Sequence, residues 1–229
     1  MARKVAILGY APNVRFAPWN DPTWELWGLN DQPWTMPRID VLFEIHYPDV
    51  IKAEGHWERL GKLDIPVYMQ QKFEEIPRSV AYPLAEVAKR YTLAGCEKPY
   101  LNCSAAYMLP IAIDSEPTPS EIALFGVNME QDTEFSHQRP GAEFWIGVAV
   151  GRGIKVSVQS TSDLMKVRYL YGFEDEPLSV FKQQCAERRK WLQDNLNVAM
   201  QKEQAAHEER LQYLGALSDI EHITKRYTF

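Results

Sequence analysis

The chain is short of cysteine, of long apolar runs and of positive charge, and each shortage excludes a class of protein. Its three cysteines, Cys96, Cys103 and Cys185, are too few and too irregularly spaced for a disulfide framework or a zinc site. A small, odd number of thiols fits a reducing compartment. The longest apolar run, around residues 105–113, contains Pro110 and falls well short of the roughly 20 residues of a membrane span. Arg3 and Lys4 lead into a run that Gly9 stops, too short for a signal peptide. A soluble cytoplasmic protein with no membrane partner is expected. With 25 basic and 31 acidic residues, the net charge of −6 argues against nucleic acid as the main partner, since a phosphate backbone needs a basic face. A single nucleotide, held locally, remains open. There is no internal repeat and no low-complexity segment.

Proline and glycine also disappear, but only at one end. Pro177 is the last of 15 prolines, and the 52 residues after it hold one glycine, Gly215. The first 175 residues carry 17 basic and 23 acidic side chains, whereas the tail from Glu176 carries eight of each. This break predicts a domain over 1–175 followed by a helical segment over 176–229.

What is there begins with K-V-A-I-L-G-Y-A-P-N, Lys4 to Asn13. Val5 to Leu8 form an unbroken aliphatic run that Gly9 closes, the pattern of a buried parallel strand. Ligands of open α/β sheets collect just past the carboxyl ends of such strands. Gly9, Tyr10 and Asn13 would lie there, unless Gly9 to Pro12 is only a turn. The layout recurs. Trp24 to Leu29 reads as a second strand ending at Asn30-Asp31, and Ile39 to Ile45 as a third ending at His46. Parallel neighbours would bring Asn13, Asn30 and His46 to one rim. Alternatively, Asn30-Asp31 is a turn and His46 a strand cap.

Residues 49–62 have helical composition, 65–69 read as a fourth strand, 72–83 as loop and 84–91 as a short helix. Tyr100 to Ser104 then feeds an apolar helix over 105–113, with Ser104 near its start and Pro110 expected to kink it or end it early. The free N–H groups of a first turn suit a phosphate, although an ordinary cap explains the serine equally. Glu121 to Phe125 is the fifth strand, closed by Gly126, and the densest polar run follows it, from Asn128 through Glu130, Asp132, Glu134 and His137 to Arg139. Long loops inside compact domains tend to be functional or disordered. A mostly buried helix over 142–150, a sixth strand over 154–158 and a short helix from Ser160 through Tyr169 complete the domain. This is an α/β fold, a Rossmann-like, mostly parallel sheet flanked by helices. In the tail, Phe181, Cys185, Leu192, Leu196, Leu217 and Ile220 belong to an interrupted apolar stripe. The nearly all-polar stretch 201–210 predicts a solvated middle or a bend, and the stripe predicts a helical pair used in homo-oligomerisation.

The V-A-I-L-G-Y-A-P-N start resembles the strand-then-G-x-G/A-P-S opening of the family 42 bacterial sialyltransferases. It is also similar to the Rossmann-like motility accessory factors that modify flagellin and to archaeal pterin pyrophosphokinases. The likeness continues through Asn30, the small-residue run from Ser104 to Met108, the strand I-A-L-F-G with Val127-Asn128-Met129, and Phe144-Trp145-Ile146-Gly147, spanning roughly residues 4 to 165. The whole chain also looks like a group of tailed-bacteriophage proteins, which implies the host cytoplasm. In the sialyltransferases the opening loop, the Asn after strand two and the Ser-small run hold the donor's cytidine nucleotide. The resemblance therefore implies that Tyr10, Asn13, Asn30 and Ser104 hold a nucleotide or nucleotide-sugar, the one ligand expected. That family has a catalytic His directly after the Gly of the F-W-I-G-like segment, where this chain has Val148, with His137 in the preceding loop as a substitute.

Two classes of function follow. A glycosyltransferase-like enzyme needs a base within about 3 Å of an acceptor hydroxyl, and His46, Glu130, Glu134 and His137 are candidates. Arg139 would neutralise a leaving phosphate. Glu130, Asp132 and Glu134 suit a metal or a solvated loop equally, and no metal centre is expected. The alternative is a module that binds, sequesters or senses a nucleotide without turning it over. A pterin pyrophosphokinase would need an acidic magnesium-binding pair that the sequence does not display.

Overall fold

The computed structural model describes residues 2–130, 134–167, 169–174 and 178–226. Seven strands form one sheet, in order of appearance β1 Lys4–Leu8, β2 Trp24–Leu29, β3 Val41–Phe43, β4 Val67–Met69, β5 Ser79–Ala81, β6 Glu121–Phe125 and β7 Lys155–Val158. All six pairings are parallel, and the spatial order is β5-β4-β3-β2-β1-β6-β7. The helices of this unit are α1 Pro48–Ala53, α2 Trp57–Leu60, α3 Leu84–Tyr91, α4 Ser104–Asp114 and α5 Arg139–Gly151. The fold is α/β, with a parallel sheet flanked by helices.

Both faces of β1 are buried, which is why its sequence is apolar throughout rather than alternating. Val5 and Ile7 pack with Trp27, Phe43, Leu124 and the helices α4 and α5 on one face. Ala6 and Leu8 pack with Leu26, Val14 and Ala17 on the other. A third cluster, built on Leu42, Val67 and Met69, seats Ile51 of α1 and Leu60 of α2.

Three features differ from the sequence reading. Residues 79–81 form the edge strand β5, paired in register with β4, inside a stretch read as loop. Pro77 and Pro83 bracket it, and an edge strand bonded on one side only needs no longer segment. Pro110 does not end α4, which runs on to Asp114. The ring sits buried in the core, and burial of Leu109, Ala112 and Ile113 around it offsets the lost N–H donor. The short helix expected over 160–169 is absent among the described residues, which form turns instead. Asp163 N–H there donates to Asn128 O at 2.8 Å, and the Ser162 hydroxyl to Val127 O at 2.7 Å. The segment is held by tertiary bonds in place of helical ones.

Contacts divide the chain into two units, residues 1–166 and 167–229. The second unit holds α6, Leu178–Arg226, one uninterrupted helix of 49 residues. Of the two expectations for 201–210, the solvated middle holds and the bend does not, since the stretch is exposed within one helix. Gln, Lys, Glu, Ala and Arg in that stretch are all strong helix formers. Pairs four residues apart support the exposed backbone, such as Gln204 Nε2 donating to Glu208 Oε1 at 2.7 Å. Every described side chain from Phe181 to Arg226 is exposed. Among the described residues no helix is long and apolar enough to cross a membrane.

Candidate functional site

The strand order reverses between β1 and β6. From β1 the chain steps outward through β2 to β5, and β6 then returns to the other side of β1. The loops leaving the two strands diverge there, which opens a cleft in an open α/β sheet. Two glycines let the strand ends close up beneath it. A Cβ on Gly9 would lie 2.2 Å from Gly126 O, and one on Gly126, at φ +72°, would lie 2.7 Å from Gly9 O. Gly9 N–H donates to Phe125 O at 2.8 Å, and Ala11 N–H to Gly126 O at 3.0 Å.

Above this contact lies a pocket of about 420 Å³. Its walls are the loop Gly9–Pro12, the loop Gly126–Glu130, Leu29, Gln138 and the start of α4. The Cys103 thiol, just before that helix, accepts from the Ala105 and Ala106 N–H groups of its first turn. Of the residues expected from sequence, Gly9, Tyr10, Ser104, Gly126, Asn128 and Glu130 line the pocket. Asn13 lies outside the lining and is buried, its Nδ2 donating to Asn128 Oδ1 at 2.8 Å and Thr161 Oγ1 at 2.9 Å. It orients Asn128, whose Nδ2 is then the amide atom left to donate. The Tyr10 hydroxyl donates to the Asp31 carboxylate, with Leu29 O 3.2 Å away. Burial, then Asp31, raises its pKa far above the usual phenol value, so Tyr10 stays a neutral donor.

The other expected residues fall elsewhere. Asn30 takes φ +53° in the turn after β2, a left-handed conformation that asparagine tolerates, and its N–H donates to Phe43 O at 3.2 Å. His46 lies past the end of β3, outside the lining, with Nδ1 2.7 Å from Glu44 Oε1. His137 is exposed in the short turn Glu134–His137, and its carbonyl accepts from Asn102 Nδ2 at 2.6 Å. The side chain of Glu134 and the whole of Asp132 lie outside the described residues. Among the described residues no group of three His, Cys, Asp or Glu side chains could hold a metal.

Arg139 opens α5, and its guanidinium meets Glu143 at 2.8 Å and donates to Lys166 O at 3.4 Å. Glu143 Oε1 also accepts Met165 N–H at 2.8 Å. The arginine ties the 160s turn to α5, and it does not line the pocket. Arg139→Ala is therefore expected to cost about 1.5–3 kcal/mol of stability, as the loss of a charge-assisted bond, and to leave ligand affinity unchanged. A melt and a calorimetric titration check this, and a tenfold weaker affinity would return Arg139 to the site.

Three residues escaped the sequence reading. Gln32 is fully buried, its Oε1 accepting Leu29 N–H and its Nε2 donating to Gly9 O, both at 2.9 Å. It locks the end of β2 to the glycine turn, although D-Q-P-W reads as an ordinary surface turn. Cys103 forms the pocket wall before α4, and burial pushes its thiol pKa up, which makes it an apolar wall and not a thiolate. Glu44 is buried at the end of β3, and its one signal was an acid placed inside the apolar run I-D-V-L-F-E-I. No family profile, curated protein or solved structure matches the chain.

Proposed function

We propose that the cleft between the ends of β1 and β6 binds a nucleotide or nucleotide-sugar, and that the protein is glycosyltransferase-like. One observation carries the reading. Where the strand order reverses, two glycine backbones touch, and the pocket above them is walled by the first turn of the 11-residue helix α4. Helix N-termini and reversal points favour phosphorylated ligands. Tyr10 and Leu29 offer a flat, partly apolar wall to a base, and Ser104 and Asn128 offer polar groups. The resemblance to the family 42 sialyltransferases and their relatives points the same way.

A second reading, a nucleotide-binding phage protein without catalysis, is favoured by Val148 standing where that family has its His. One screen separates the two. Nucleotides and nucleotide-sugars are tested by thermal shift, and a true ligand at 100 times its Kd is expected to add about 2.7 kcal/mol, roughly 5–10 °C for a chain of this size. Chromatography of the incubated ligand then distinguishes release of a nucleoside phosphate, which supports transfer, from intact ligand, which supports binding alone. No shift with any nucleotide sinks both.

The proposal extends to assembly, with α6 pairing against a second copy of the chain. Cys185, Leu192, Ala199, Ala206, Tyr213 and Ile220 recur at intervals of seven along the helix and are exposed. Seven-residue spacing of apolar side chains makes a seam for another helix. The halves differ in charge, with five basic and two acidic residues over 178–202 against three basic and five acidic over 203–226. An antiparallel pair centred between Ala199 and Ala206 sets opposite charges beside each other.

A further inference from the structure

Glu44 is a carboxylate held where carboxylates rarely remain. Its N–H donates to Tyr68 O at 2.8 Å, which continues the β3–β4 pairing and turns the side chain inward, to 1% exposure. Oε1 accepts the His46 backbone N–H at 3.3 Å and lies 2.7 Å from His46 Nδ1. Oε2 is buried with no partner. Burying a charge with half its acceptors unmatched is costly, and such a group calls for an explanation beyond packing.

The imidazole supplies one. With Glu44 ionised, only the Nδ1–H tautomer makes the 2.7 Å bond, which leaves the lone pair on Nε2. The His46 side chain is 48% exposed, so one edge of the ring is fixed in the protein and the other is open. The geometry is the one by which a carboxylate orients a histidine and fixes its tautomer. The segment is pinned on both sides. Asn30 N–H donates to Phe43 O at 3.2 Å, and Gln70 Nε2 donates to Ile45 O at 3.0 Å. The pair also neighbours the pocket. Leu29 of the pocket wall is followed by Asn30, whose N–H meets the carbonyl of Phe43, the residue before Glu44. β3 is two strands from β1, about 10 Å at the usual spacing, within the length of a nucleotide-sugar.

We propose that His46, oriented by Glu44, is the general base that takes the proton of an acceptor hydroxyl as its oxygen attacks the activated sugar, which extends toward His46 from a nucleotide held in the neighbouring pocket. This rests on the nucleotide-sugar reading above. The acceptor oxygen bonds to the anomeric carbon. The bond from that carbon to the phosphate oxygen breaks, and its electron pair leaves with the nucleoside phosphate. The acceptor's proton ends on Nε2. His46 is the catalytic residue and Glu44 the positioning residue. With water as acceptor, the same step hydrolyses the donor.

The test uses the full chain with UDP-glucose, GDP-mannose and CMP-sialic acid as probes and water as acceptor. Nucleoside phosphate release is followed by chromatography, and donor affinity by calorimetry. The wild type is expected to cleave one of these donors. His46→Ala and His46→Gln are expected to slow cleavage by about 100-fold or more, with Kd unchanged within about twofold. His46→Gln keeps an amide donor for Glu44, which preserves the fold for the comparison. Glu44→Gln is expected to slow cleavage and to move the His46 ring 15N resonances away from the Nδ1–H tautomer, a signature that simple loss of packing does not produce. A donor bound but left intact by the wild type, or cleaved equally by the His46 variants, overturns the inference and spares the nucleotide reading. Absence of binding in the wild type overturns both. Unchanged 15N resonances in Glu44→Gln remove Glu44 from its role.

Discussion

Gly9→Ala is expected to destabilise the first unit by roughly 3 kcal/mol, as overpacking of a closed backbone contact does, and so to lower its melting temperature by about 6–12 °C. Ligand binding at the cleft is expected to be lost with it. The added methyl would sit 2.2 Å from Gly126 O, and the obstacle is main chain, which no rotamer change can move aside. Relief requires β1 and β6 to part at the rim, breaking the Gly9–Phe125 and Ala11–Gly126 hydrogen bonds that shape the cleft floor. Gly147→Ala is the control. It lies in the middle of α5 with no atom within 4 Å of the added carbon, and it is expected to gain about 0.5–1 kcal/mol from helix propensity. Thermal melts of both variants decide the matter. A Gly9→Ala protein that melts with the wild type would mean that the strand ends separate at no cost, and the cleft would then be a soft feature unsuited to fixing a ligand.

The full chain is expected to scatter light as a dimer, at twice the 26.5 kDa of one chain. A chain ending at Lys166 is expected to be monomeric and to keep its melting transition. A helix of 49 residues is about 74 Å long, and in α6 every described side chain from 181 onward is exposed, including Trp191, Leu192, Leu196, Leu217 and Ile220. Isolated helices draw most of their stability from burying an apolar face. A second copy would supply such a face with matching spacing, and the opposed charge of the two halves would favour an antiparallel arrangement. Because those charges are exposed, raised salt is expected to weaken the dimer. A monomeric full chain would sink the assembly proposal. A truncated chain that no longer folds would place the tail in the core of the first unit.

Local chemistry alone determined a good part of this protein. Val5 to Leu8 closed by Gly9, and Glu121 to Phe125 closed by Gly126, read as buried parallel strands because a sheet covered on both faces accepts only apolar residues. The loops after those strands, with Tyr10 and Asn128, were legible as pocket residues because ligands of such sheets collect at carboxyl ends, and Ser104 was legible as the start of a helix. The break in proline and glycine usage marked the helical tail. Tertiary structure decided the rest. Only the order of the strands makes β1 and β6 neighbours, and nothing local in either run shows that Gly9 and Gly126 meet across about 117 residues of chain. Only packing told a surface turn from a buried lock at Gln32, or sent Arg139 to Glu143 and away from the cleft, because a polar side chain's role is set by the partner that long-range folding brings to it. The same holds for Glu44 and His46. Two residues apart in sequence, they become a buried carboxylate and a half-open imidazole only once β4 closes over β3 and shields one of them from water.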